Sequence, residues 1–317
     1  MRIAIIGAGF SGLSAAWHLV KEAGCEVTLF DPKGVGGGAS GIAAGLLHPY
    51  VGEEGKRSVR ALEGMEAAKE LLLVAEEILG KQVATHGGIL RHVVNEHALF
   101  LSHAQVYGDV KQIEEGLFLI ESGITVDCPL YLEGLWQAIA ARGGRLILEE
   151  VKTLSTLEQF DHILVAAGPG IAQFPELSSL RYRSLKGQVL LCKAPASVAL
   201  PEKSSIGKGY VALLGGGERL CHIGSTYERG ETDVEPNQAL AESLLFPKVG
   251  RFFPDVEKLE VVGCRSAMRV ICSGHYFPIA VKLTSTLWVL TAMGSRGLLY
   301  HGLLGKALAR AIRNAGR

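Results

Sequence analysis

The chain has 317 residues, 48 % hydrophobic and 20 % charged, with 40 glycines and 11 prolines; this is the make-up of a globular protein with room for one large domain or two ordinary ones, and it excludes disorder as the main state. Its 32 basic and 32 acidic residues cancel, which sets it apart from general nucleic-acid binders, more often basic overall. Apolar runs such as Leu71 to Ala75 fall far short of the roughly 18 residues of a membrane-spanning helix, and the glycine-rich start offers no export-signal cleavage site, so a cytoplasmic protein without a membrane contact is expected.

Residues 2 to 6, Arg-Ile-Ala-Ile-Ile, form a branched apolar run that stops at Gly7 and reads as a buried parallel strand entering a tight turn. Leu13, Ala16, Trp17 and Val20 then recur at helical spacing, Gly24 offers the stop, and Glu26 to Phe30 make a second strand. A helix is predicted over 57–79, and from 83 to 120 the pattern turns to short strands punctuated by Gly87, Gly88, Gly108 and Gly116. Helix returns over Leu130 to Arg142, followed by strands at Arg145 to Glu149 and His162 to Ala166. Gly187 to Cys192, Tyr210 to Leu214 and Leu220 to Gly224 read as an antiparallel sheet of their own. A strand at Thr286 to Thr291, a glycine-bearing turn at Met293 to Gly297 and a helix over Leu298 to Asn314 close the chain.

The pattern defines an α/β protein: a Rossmann-like dinucleotide-binding domain assembled from discontinuous segments, with a second α+β domain on a mainly antiparallel sheet. The expected division is 1–56, 121–176 and 259–317 for the first, and 57–120 and 177–258 for the second, substrate-facing domain. Zero net charge conceals an asymmetry, because Arg265, Arg269, Lys282, Arg296, Lys306, Arg310, Arg313 and Arg317 make residues 261–317 +8, with no Asp or Glu, against −8 elsewhere. Six cysteines without a CxxC pair and ten histidines without HxH or HxxxH leave no disulfide framework and no metal site in view.

Gly7-Ala8-Gly9-Phe10-Ser11-Gly12 fits GxGxxG between strand and helix. Gly7 permits the turn, Gly9 the approach of a pyrophosphate and Gly12 close helix packing, while Asp31 ends the next strand where its carboxylate can accept from the adenosine ribose. Such a cradle suits NAD or FAD. A second glycine-rich tract, Gly36 to Pro49, follows directly, and small side chains there let backbone pass close to a large planar ring. Gly294, Ser295, Arg296 and Gly297 stand at a strand-to-helix junction whose amides can meet the N1/C2 carbonyl edge of a flavin, where negative charge develops on reduction; the alternative is a plain helix cap.

GGGASGIAAGLLHP at 36–49, LKGQVLL at 185–191, GYVALLGGGERLCHIGSTYERGETD at 209–233, GCRSAMR at 263–269 and WVLTAMGSRGL at 288–298 together resemble the D-amino-acid-oxidase and glycine-oxidase class of FAD-dependent amine oxidoreductases. Within it they are most similar to the oxidase domain of the bifunctional bacterial tRNA 5-methylaminomethyl-2-thiouridine enzymes. The resemblance implies FAD, with Gly7, Gly9, Gly12 and Asp31 on the adenosine and diphosphate and Ser40, Gly41 and Gly45 beside the flavin. It further implies backbone contacts from Val151 near adenine, a glycine-rich strand end at Ala167 and Gly168, and Gly294 to Leu298 under the pyrimidine edge. Arg265 matches the arginine that grips a substrate carboxylate, and Arg269 stands four residues on as the other candidate, for that carboxylate or for an RNA phosphate. Tyr227 would hydrogen-bond substrate or stack on a uracil, and His48 would act on the amine's protonation or on oxygen; core packing is the alternative for both.

The implied reaction is hydride transfer from the carbon bearing the amine to flavin N5, with hydrolysis of the imine to glyoxylate and a freed amine. The expected substrate is a carboxylated secondary amine, the carboxymethylaminomethyl group of a tRNA wobble uridine, met in a transient tRNA contact, with the usual methyltransferase activity on a separate partner because the chain starts at the oxidase fingerprint. The alternatives are an oxidase or dehydrogenase of free glycine, sarcosine or a D-amino acid, and a flavin-binding interaction subunit without catalysis.

Overall fold

The computed structural model describes residues 1–52, 55–93, 100, 102, 106 and 108–316. Arg317 and part of the 83–120 stretch lie outside the described residues.

The apolar run Arg2–Ile6 buries four of its five residues because strands cover it on both sides. It lies inside a six-stranded sheet ordered Ile279–Lys282, Leu287–Thr291, His162–Val165, Arg2–Ile6, Glu26–Phe30, Arg145–Ile147. Every neighbouring pair is parallel except Ile279–Lys282 with Leu287–Thr291. Three strands drawn from the two ends and the middle of the chain therefore finish on one edge, the edge on which open α/β sheets bind ligands.

Helices close one face of this sheet: α1 (Phe10–Val20), α2 (Ala61–Leu79) and α3 (Cys128–Ala140), with the long carboxy-terminal helix Gly297–Ala315 among them. Asp127 caps α3 by accepting from Leu130 N at 3.0 Å, and Pro129 sits in its first turn, where a missing N–H costs nothing. The terminal helix approaches its neighbours through small residues, since a Cβ on Gly302 would lie 2.7 Å from Ala67 O and one on Gly305 2.2 Å from Ser14 Oγ. Ile3, Leu13, Leu29, Leu71, Leu135 and Leu304 share the resulting core, where truncating one leucine to alanine costs about 2–5 kcal/mol.

The second sheet has eight strands in the order Glu260–Cys272, Tyr182–Lys193, Leu220–Gly224, Tyr210–Leu213, Ser205–Ile206, Ile89–His92, Leu117–Ile120, Val110–Glu114. It is antiparallel except where Ser205–Ile206 meets Ile89–His92. Side chains alternate across it with period two: Leu190, Cys192, Val211, Cys221 and Ile223 pack under α4 (Gln238–Val249), which leaves Gly187, Val189, Gly224, Tyr210 and Arg269 for the other face. The terminal helix is hereafter α5. A three-stranded sheet of Leu46–Leu47, Ile124–Val126 and Ala84–His86 lies beside the two larger ones.

Two elements cross the boundaries expected from the sequence. Helix α2, within 57–120, adds Met65, Ala68, Leu71, Leu72 and Ala75 to the core of the first sheet, because α3 and α5 cover its apolar face. Strand Glu260–Cys272, within 259–317, pairs along its length with Tyr182–Lys193 in the second sheet. All six cysteines are free. Among the described residues no helix is long and apolar enough to cross a membrane, and no group of His, Cys, Asp and Glu is arranged to hold a metal.

Candidate active site

A cavity of about 530 Å³ runs between the two large sheets, within the size range of small-molecule and cofactor sites. Its first end is the turn after strand Arg2–Ile6. Gly7 has φ +109, and a Cβ there would stand 2.3 Å from Ala166 O, so only glycine fits where the strand ends touch. A Cβ on Gly12 would stand 1.9 Å from Gly7 O, which is how α1 comes down close to the sheet. Asp31 Oδ2 accepts from Ala8 N and its Oδ1 from Lys33 N, both at 2.9 Å, so the carboxylate braces the turn while lining the cavity. Helix α1 has no acidic residue in its first turn and no side-chain cap at Gly9; its dipole and leading amides suit an anion there.

The glycine-rich tract folds over this turn. Ser40 Oγ accepts from Phe10 N at 3.0 Å, tying the tract to the start of α1. Gly45 has φ +77, and its Cβ would lie 1.8 Å from Val126 O, so backbone there runs against backbone. The third wall is the other end of the chain: Gly294, Ser295, Gly297 and Leu298 line the same cavity as Gly7 and Gly9, at the head of α5, which also lacks an acidic residue in its first turn. Ala292, buried just before this turn, is held at φ +59, a strained conformation for a residue with a Cβ, of the kind that collects at ligand clamps.

The second sheet supplies the polar groups. Arg269 lines the cavity, donates from Nη2 to Thr226 O at 2.9 Å and stacks 4.6 Å from the ring centroid of Tyr227. It crosses Gly187 so closely that a Cβ there would lie 1.7 Å from its Nη2. Burial pushes the Tyr210 phenol well up, against the pull of Arg269, so Tyr210 stays protonated and able to donate. His48 is buried, and burial followed by the neighbouring Arg91 charge lowers its pKa to about 3. Arg91 itself donates to the carbonyls of Tyr50 and Gly52 and lies 4.8 Å from the centroid of Phe100.

Of the residues singled out in the sequence, Gly7, Gly9, Asp31, Ser40, Gly45, His48, Ala167, Gly168, Tyr227, Arg269, Gly294, Ser295, Gly297 and Leu298 line this one cavity. Five do not. Gly12 and Gly41 stand behind it as close-packing positions, a Cβ on Gly41 falling 2.2 Å from Gly36 O. Val151 is buried in the core on the far face of the first sheet, with its carbonyl accepting from Gln173 Nε2 at 2.8 Å. Arg296 turns away to donate to Tyr276 O at 3.1 Å and stacks on the Tyr276 ring. Arg265 is exposed and outside the cavity, whereas Arg269 lines it. Arg91, Gly187, Lys208 and Tyr210 also line the cavity; the one local sign of them is the glycines beside Lys208, at 207 and 209.

The cradle fits a flavin dinucleotide on its own geometry. Glycine backbone from both chain ends converges without room for a Cβ at Gly7 and Gly45, two helix starts free of acidic residues face the cavity, and two buried wall atoms, His48 Nδ1 and Thr291 Oγ1, have no hydrogen-bond partner among the described residues. A mostly parallel sheet with a GxGxxG turn at its ligand edge and a second sheet closing over it defines a dinucleotide-binding protein of two-sheet architecture. The chain belongs to the DAO family of FAD dependent oxidoreductases, whose family model matches residues 2–311, and its cofactor is FAD.

The tRNA 5-methylaminomethyl-2-thiouridine biosynthesis bifunctional protein MnmC of Maricaulis maris (strain MCS10) is 25 % identical over 321 residues, covering 98 % of this chain and 52 % of that protein. The chain thus spans about half the length of the curated relatives it matches. Among solved structures, glycine oxidase from Geobacillus kaustophilus and iminodiacetate oxidase (IdaA) from Chelativorans sp. BNC1 each superpose with a TM-score of 0.82 at 20 % identity, covering 99 % of this chain and 95 % of theirs. These two share its fold.

Proposed function

We propose that this enzyme oxidises the C–N bond of a small carboxylated amine of the glycine, sarcosine or iminodiacetate type. The observation that carries this reading is Arg269, a guanidinium held in the cavity wall by the Thr226 carbonyl and the Tyr227 ring, with no carboxylate of the protein on it among the described residues. A planar fork of that kind clamps a carboxylate in two hydrogen bonds and orients the adjacent C–N bond. Bound FAD supplies the hydride acceptor. The protein's share is placement: Arg269 fixes the carboxylate, the Tyr210 hydroxyl donates a hydrogen bond beside it, and the apolar wall of Ala43, Leu46, Val189 and Leu290 keeps bulk water from the reacting carbon.

His48 is neutral at any working pH, its pKa having fallen to about 3. It can offer Nδ1 as a hydrogen-bond partner but is too weak a base to take the proton of an ammonium, so the amine loses that proton to solvent as it binds. Loss of a hydride and of the nitrogen-bound proton leaves an imine, which water cleaves to a carbonyl acid and an amine.

A second reading is favoured by the likeness of 98 % of this chain to about half of the MnmC protein: the same C–N cleavage on the carboxymethylaminomethyl group of a tRNA uridine, with the methyltransferase step on another chain or segment. Anaerobic mixing of the holoenzyme with glycine, sarcosine, iminodiacetate, a D-amino acid and hypomodified tRNA, followed by flavin absorbance, separates the two. Bleaching by the free amines is expected; bleaching by the tRNA alone would transfer the proposal to the second reading, and no bleaching at all would overturn both.

A further inference from the structure

The charged residues lining the cavity are Asp31, Arg91, Lys208 and Arg269. Asp31 belongs to the nucleotide end, and Arg91 is turned onto the Tyr50 and Gly52 carbonyls. Two cations remain for a substrate, and among the described residues Lys208 has no hydrogen-bonded or ion-paired partner. Its position is built rather than incidental. Lys208 is the tip of a tight hairpin closed by Gly207 N donating to Gly209 O at 2.7 Å. A Cβ on Gly207 would lie 2.8 Å from the Phe252 ring and one on Gly209 2.9 Å from Val249, so both glycines are pressed onto the second sheet's core and the tip is held at the cavity edge.

The sheet register fixes how far apart the two cations stand. Tyr210 pairs with Gly224, and Val189 with both Gly224 and Arg265. From that row the chain runs back from Tyr210 to Lys208, on from Gly224 to Tyr227, back from Val189 to Gly187 and on from Arg265 to Arg269, all toward the same end of the sheet. Lys208 and Arg269 thus share that end, three strand spacings or roughly 14 Å apart across the sheet, and the Arg269 guanidinium lies over Gly187, on the strand next to its own on the side of Lys208.

We infer that Lys208 binds a second anionic group of the substrate, so that the preferred amine carries an anion on each side of its nitrogen, a carboxylate on Arg269 and a further carboxylate or a phosphate-type group on Lys208. This rests on the proposed oxidation of a carboxylated amine. Lysine suits the role because its ammonium is a compact charge with three rotatable donors, adaptable to either kind of oxyanion.

The test is Lys208→Met and Lys208→Arg in the holoenzyme, with sarcosine, iminodiacetate and N-(phosphonomethyl)glycine as substrates in anaerobic flavin reduction. In the methionine variant KM for the doubly anionic substrates is expected to rise about tenfold relative to that for sarcosine, the worth of about one charge-assisted hydrogen bond, and arginine should restore most of it. A rise for iminodiacetate alone assigns a carboxylate to Lys208, and a rise for the phosphonate alone assigns a phosphate-type group. An unchanged ratio for both overturns the inference. If no amine reduces the flavin, the proposed oxidation falls, and the inference is then decided by dissociation constants of thiodiacetate and methylthioacetate from flavin spectral shifts: selective loss of thiodiacetate affinity in Lys208→Met upholds it, and parallel behaviour rejects it.

Discussion

Arg265 and Arg269 stand four positions apart on one strand, and period-two alternation gives them the same face. What separates them is the neighbouring strand. Opposite Arg269 it offers Leu185, with Gly187 on the diagonal, over which the guanidinium lies; opposite Arg265 it offers Val189, with Leu191 on the same diagonal. Arg269 therefore reaches into the cavity, while Arg265 stays exposed near His222, whose protonation it opposes. Arg269→Met should lower kcat/KM for sarcosine by about ten- to a hundredfold, the loss of one or more hydrogen bonds to a charged group, whereas Arg265→Met should stay within about twofold of the parent. Equal losses in both would remove Arg269 from the carboxylate. Sequence could place two arginines on a strand but not choose between them, because the choice depends on a residue more than 70 positions away in the chain. The His48 imidazole makes a separate prediction: with its pKa at about 3, His48→Gln should leave the shape of the pH profile of flavin reduction unchanged above about pH 5, and a lost inflection near neutrality would show that it titrates in the working range.

At the scale of elements, glycines carry much of the design. Gly187→Ala would place a Cβ on the Arg269 guanidinium, the far end of a flexible side chain, so the arginine is displaced and the strand is kept. KM for a carboxylated amine should rise about tenfold with flavin content and melting temperature close to the parent. Gly12→Ala is the opposite case, because the Cβ meets the Gly7 carbonyl and neither backbone segment can yield; flavin content should drop and thermal stability fall by about 1–3 kcal/mol, as for other overpacked sites. The glycine turns and the strands that feed them were legible because apolar runs and turn residues are local signals. Helix α4 was not, since Pro247 within it reads as a breaker. Nor was the allegiance of α2, whose helical pattern is clear but whose covering partners α3 and α5 come from distant sequence.

The whole molecule buries neutral imidazoles where its segments pack together. His301, fully buried in the first turns of α5, takes Leu298 O on Nδ1 at 2.9 Å and meets the Tyr131 hydroxyl of α3 at Nε2, 2.5 Å away. With Nδ1–H donating to a carbonyl, Nε2 accepts from the phenol, so the neutral form is the one the fold is built for. Burial lowers His301 and His18 to about 4 and His48 to about 3. These values lie below the ordinary histidine value of about 6.5, so between roughly pH 6.5 and 4 the unfolded chain takes up protons that the folded chain refuses, and stability falls as pH falls. Above that window all forms are neutral and the effect vanishes. The melting temperature of the holoenzyme at constant ionic strength should therefore be nearly level from about pH 7 to 8 and drop steeply from about pH 6.5 to 4. His301→Gln should melt lower at neutral pH, having lost one of its two hydrogen bonds, yet lose less on acidification because one refused proton is gone. If the variant and the parent lose stability in parallel between those pH values, His301 is not one of the groups that make the fold acid-labile.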